Sequence, residues 1–111
     1  MNKVFIIPFH VKAQKNSIMP EDLGGAYVSC YAIGNSYVDA TEKALNKLAE
    51  DGLYPEEILQ PINQLELGSW EEYLKESWSE YIDEFPKQDE FEQAMHAGKI
   101  IYSPFASYDP Q

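Results

Sequence analysis

From Lys3 to Lys12 the chain places Phe5, Ile7, Phe9 and Val11 at every second position, and a period of two marks a strand with one buried face. Pro8 interrupts the segment and has no N–H to give a ladder, so the pattern predicts an edge or bulged strand. After a polar loop around Ser17 to Gly25, the residues from Ala26 to Ile33 alternate again. Ala26, Val28, Cys30 and Ala32 share one side; Tyr27, Ser29, Tyr31 and Ile33 share the other. The two strands are expected to pair antiparallel. A two-stranded ribbon is marginal in water, so the rest of the chain has to complete the sheet and cover it.

Gly34-Asn35-Ser36 ends the second strand. Ser36 stands three before Asp39, and Asp39 three before Glu42, so either can open a helix with capping-box chemistry. Val38, Thr41, Leu45 and Leu48 then recur at helical spacing, and Gly52 supplies a residue free to take positive φ at the helix end. Glu57 to Leu67 reads as a third strand weakened by Pro61. Ser69-Trp70-Glu71-Glu72 is a second capping-box start, followed by Trp70, Leu74, Trp78, Tyr81, Ile82 and Phe85 on one helical face until Pro86. A shorter helix runs from Asp89, paired with Glu92 in the same geometry, to Gly98. Lys99 to Tyr108 is the last strand, with Pro104 marking an edge.

This order lacks the βαβα alternation of a parallel sheet. The expected fold is α+β: one domain over residues 1–111, with a mostly antiparallel sheet of about four strands and two to three helices packed on one face. Its core is expected to gather Phe5, Ile7, Phe9, Val28, Cys30, Leu45, Leu48, Leu74 and Trp78.

The chain is 44% hydrophobic and 14% aromatic, far too apolar for a disordered acidic tail in spite of a net charge of -11. All eight basic residues are lysines, and arginine, the usual fork for phosphate, is absent. Bulk electrostatics therefore disfavours nucleic acid as a partner. The longest apolar run near the N-terminus, Val4 to Phe9, holds six residues and a proline, too short for a signal peptide or a membrane span. With Cys30 as the single cysteine, an internal disulfide is impossible, and a bacterial-type cytoplasm is the expected compartment.

Catalytic constellations are sparse. Cys30 shares a small apolar strand face and reads as a buried hydrophobe rather than a nucleophile. His10 lies opposite Phe9 and Val11. Glu92 and His96 are four apart on a helix, but two ligands do not make a metal site. Acidic pairs such as Glu56-Glu57 and Asp83-Glu84 sit at positions that look exposed, and no phosphate-binding loop precedes a helix. No catalytic set, metal or cofactor is expected, and whether the chain is an enzyme stays open.

Charge is distributed unevenly. Residues 1 to 55 carry five lysines and six acids, whereas residues 56 to 111 carry three lysines and 13 acids. On the Trp70 helix, Glu72, Glu76, Glu80 and Asp83 fall on a stripe away from the aromatic face. Glu72/Glu76 and Glu76/Glu80 are like-charge i,i+4 pairs, each costing a few tenths of a kcal/mol. A solvated face is the plain explanation. The functional one is a docking surface for a basic protein, in a non-enzymatic module of the size and composition shared by immunity proteins, antitoxins and DNA mimics. The rival is a small enzyme or ligand-binding domain with a pocket between sheet and helices lined by Tyr27, Tyr31 and Tyr102. Homo-oligomerisation through an edge strand is compatible with both.

Overall fold

The two alternating segments form the centre of the sheet in the computed structural model, which describes residues 3–14, 17–18 and 24–109. β1 (Lys3–Ala13) and β2 (Gly25–Gly34) pair antiparallel from Lys3 opposite Gly34 to Val11 opposite Ala26. The loop predicted between them lies partly outside the described residues.

The sheet is four rows wide but contains six strands, because both outer rows are broken. Alongside β1 run β3 (Leu53–Ile58), paired with Phe9 to Ala13, and β4 (Asn63–Leu65), paired with Val4 to Ile6. Alongside β2 run β5 (Ile101–Tyr102) and β6 (Ala106–Tyr108). The two predicted outer strands are thus each cut near their proline, Pro61 and Pro104. The first also begins earlier than expected, directly after Gly52.

The same break explains why Pro8 sits in a central strand after all. The Pro8 carbonyl accepts the Leu59 N–H at 2.8 Å, so Pro8 faces the outer row where that row leaves the ladder between β3 and β4. Its missing N–H falls where a strand partner is missing too. On the other side, the gap at Pro104 is closed by a side chain. Ser29 N–H donates to Ser103 Oγ at 2.8 Å, and Ser103 N–H donates to the Ser29 carbonyl at 2.8 Å. Ser103 is buried.

Helices cover both faces of the sheet, not one. Phe5, Ile7, Phe9, Val11, Val28 and Cys30 pack against α1 (Tyr37–Glu50) through its buried Ala40, Ala44 and Leu48. Val4, Ile6, Tyr31 and Ile33 point the opposite way, into a second core with Trp70, Leu74, Phe85, Phe91 and Met95. The sequence pattern had assigned Leu74 and Trp78 to the first core, but they lie across the sheet in the second. Both faces of β1 and β2 are apolar at that end, so both need a cover.

α1 opens at Ser36, whose Oγ accepts the Asp39 N–H while Asp39 Oδ2 accepts the Asn35 N–H. Its inward face is rotated from the expected one: Val38 is exposed and Thr41 and Leu45 are marginal, because small Ala40 and Ala44 let the helix approach closely. The entry to the helix is equally tight, since a Cβ on Gly34 would meet the Ala40 nitrogen at 2.9 Å. Gly52 closes α1 with φ of 73°.

Ser103→Ala removes the acceptor of the part-buried Ser29 N–H and is expected to destabilise the fold by about 1–2 kcal/mol. A urea unfolding midpoint compared with that of the parent checks it, and an unchanged midpoint would show that water closes the gap as well as the hydroxyl does.

Candidate functional site

α2 (Trp70–Ser77) starts where expected but is held differently. Ser69 occupies the cap position without a side-chain hydrogen bond. Gln88, at the start of α3 (Gln88–His96), reaches across instead: its Oε1 accepts the Glu71 N–H at 3.2 Å and its Nε2 donates to the Leu67 carbonyl at 2.8 Å. Trp70, fully buried, stacks on Phe91 with centroids 3.9 Å apart and donates its indole N–H to the Pro86 carbonyl. One glutamine and one tryptophan therefore tie the start of α2 to the start of α3.

The predicted single helix to Phe85 does not form. α2 ends at Ser77, and Trp78 leaves helical geometry with φ -135° and ψ 35°. Its indole N–H is shared between the hydroxyls of Tyr31 and Tyr73, at 3.0 and 3.1 Å, and those hydroxyls bond each other at 2.7 Å. The chain continues as a 3₁₀ helix over Ser79–Glu84.

The acidic stripe is accordingly split, with Glu72 and Glu76 on α2 and Glu80 and Asp83 on the 3₁₀ segment. All four are exposed. Only Glu72/Glu76 remains a helical i,i+4 pair. Residues 70–96 hold nine acids against Lys75 and Lys87. Among the described residues the ion pairs are His10–Glu57, Lys12–Glu56, Lys43–Asp39 and Lys47–Asp51, none of them in this layer. The break also changes the aromatic side. Tyr81, expected to face the core, is 42% exposed and rests edge-on against Trp78 between Glu80 and Asp83.

The tyrosine-lined pocket is not formed. Tyr31 is buried in the second core, Tyr102 lies on the α1 side with its hydroxyl donating to Asp51 Oδ2 at 2.7 Å, and Tyr27, four residues before Tyr31 on β2, is 47% exposed. Burial pushes the Tyr31 phenol well above its ordinary range, with the Tyr73 hydrogen bond adding to it. Burial and then the Asp51 carboxylate do the same to Tyr102. Cys30 is fully buried, and desolvation drives its thiol upward, the opposite of what a nucleophile requires.

His10 has partners that its local sequence did not suggest. Its Nε2 bonds the Tyr108 hydroxyl at 2.5 Å, Glu57 Oε1 lies 3.7 Å from Nδ1, and Tyr27 stacks on the ring at 4.8 Å. Tyr108 reaches it across Gly25, where a Cβ would stand 2.5 Å from the phenol oxygen. A glycine opening a strand is the one sequence sign of such a close approach. The cluster pins β6 onto the sheet.

Glu92, one of two residues weighed as metal ligands, accepts a bond from Gln88 Nε2 at 2.7 Å. Among the described residues no three His, Cys, Asp or Glu side chains group as a metal site, and no helix is long and apolar enough to cross a membrane. No family model, curated protein or solved structure matches the chain.

Cys30, Tyr31 and Tyr102 together predict an alkaline limit to stability. Their folded-state values are raised, so their contribution is complete below the ordinary thiol and phenol range. It is lost above about pH 9–10, where the unfolded chain releases protons that the folded one retains. Cys30→Ala should cost about 1–2 kcal/mol at neutral pH and flatten the first part of that fall. Urea titrations from pH 7 to 11 check both, and rapid thiol labelling of the folded protein would contradict the burial argument.

Proposed function

We propose that this chain is a non-enzymatic protein-binding module whose α2–3₁₀–α3 layer docks on a basic protein, as immunity- and antitoxin-type inhibitors do. The observation that carries the reading is Tyr81: an exposed aromatic ring flanked by Glu80 and Asp83, in a layer whose carboxylates make no ion pair among the described residues. Unpaired carboxylates attract and orient a cationic surface at long range. A ring backed by Trp78 supplies desolvated contact area at low entropic cost, which charge alone does not provide. The two contributions act on different rate constants.

Lysine and arginine side chains of the partner would meet Glu72, Glu76, Glu80 and Asp83, while an arginine plane or apolar side chain covers Tyr81. An acidic field also discriminates against acidic competitors. The rival pocket reading loses its support, since Tyr27, Tyr31 and Tyr102 do not converge.

The test uses a partner captured from the source cell at low salt and released at high salt, followed by stopped-flow kinetics. Changing Glu72, Glu76 and Glu80 to Gln and Asp83 to Asn should slow association, with the loss shrinking as salt rises. Tyr81→Ala should speed dissociation, costing about 2 kcal/mol with little change in association. Neutralisation relieves the Glu72/Glu76 repulsion, so thermal stability should stay equal or rise slightly. Unchanged association of the neutralised chain at low salt would remove the basis of the proposal.

A further inference from the structure

A cleft of about 890 Å³ opens at the end of the sheet, between the β4–α2 connection and the C-terminal end of α3. Ile33, Leu65 and Leu67 form its apolar wall, all three belonging to or packed against the second core. Lys3, His96 and Gln64 bring three hydrogen-bond donors to it, with Glu66 the one carboxylate. Among the described residues none of these four side chains makes a hydrogen bond or ion pair, in contrast to Lys43 and Lys47, which line a more polar cavity of about 580 Å³ and are engaged by Asp39 and Asp51. A concave apolar surface of this size with a few uncommitted polar groups has the composition of a small-molecule site.

We propose that this cleft binds a small amphipathic acid, its apolar body on Ile33, Leu65 and Leu67 and its anionic head on Lys3 and His96. The proposal is independent of the docking surface. The lining favours an anionic head through its donors: the side chains of Lys3, His96 and Gln64 can each donate to it, against the one carboxylate of Glu66. The chain's overall negative charge opposes an anion only weakly here, because exposed charges beyond about 8 Å are screened at physiological salt. The affinity comes from covering the apolar wall, and the head group fixes orientation. Glu66 opposes the head directly, so its removal should help binding rather than harm it.

Gly68 provides the control. It lines the cleft, its φ lies outside the left-handed range, and a Cβ built there meets nothing within 4 Å. Leucine at this position therefore enters open space beside the cleft and does not clash with the core.

Decanoate, titrated below its micellar concentration and followed by NMR, tests the proposal, with decylamine as the opposite-charge probe. The expected result is saturable shifts at Ile33, Leu65 and Leu67, weakened several-fold by Lys3→Gln, tightened by Glu66→Gln and lost in Gly68→Leu. An unchanged urea midpoint in Gly68→Leu shows that the loss is local. The proposal is overturned if decanoate gives no saturable shifts, if Gly68→Leu binds it as the parent does, or if decylamine binds more tightly than decanoate.

Discussion

The hydroxyl of Tyr31 determines how the second half of the chain lies on the sheet. It rises from β2 into the second core, bonds Tyr73 on α2 and, with it, takes the indole N–H of Trp78. An indole donor taken from water without an acceptor is costly, and Trp78 meets these hydroxyls at the residue where the chain leaves α2. The change to 3₁₀ geometry follows, and with it the outward turn of Tyr81. Packing, secondary structure and the proposed docking surface thus share one polar contact inside an apolar core.

The two cores divide the work. On the α1 side, small residues on the helix meet large ones on the strands, and the polar face of α1 is laced by Lys43–Asp39 and Lys47–Asp51. On the other side, aromatic rings dominate, with Trp70 among Phe91, Tyr31 and Phe85. Charges on the helical layer of that side form no ion pair among the described residues. A face that stabilises itself through buried rings can keep its surface charges unpaired, since surface ion pairs contribute little to stability in any case.

Much of the fold was legible in the sequence because it follows from local rules. The period of two in β1 and β2, the Ser36 cap and the Gly52 stop all act within a few residues. What was not legible depends on partners far along the chain. Apolar residues on both sides of β1 and β2, Val4 and Ile6 as well as Phe5 and Ile7, signalled two covered faces, yet a single-face sheet explains a clean alternation on the first count alone. Pro8 reads as an edge marker until the break in the outer row beside it, after Leu59, is known. The helix break is invisible in the periodicity, since Trp78, Tyr81 and Phe85 fit an unbroken face. The candidate acidic residues were legible by count; their division between two segments was not, and neither was the exposed Tyr81 between them.

Hydrogen exchange of the Trp78 indole N–H tests the central contact most directly. The structure predicts strong protection in the parent chain. In the Tyr31→Phe, Tyr73→Phe double variant it predicts loss of that protection and a drop in stability of about 1–3 kcal/mol, the cost of a buried donor without an acceptor. An indole N–H that exchanges in the parent as fast as a solvent-exposed one would contradict it.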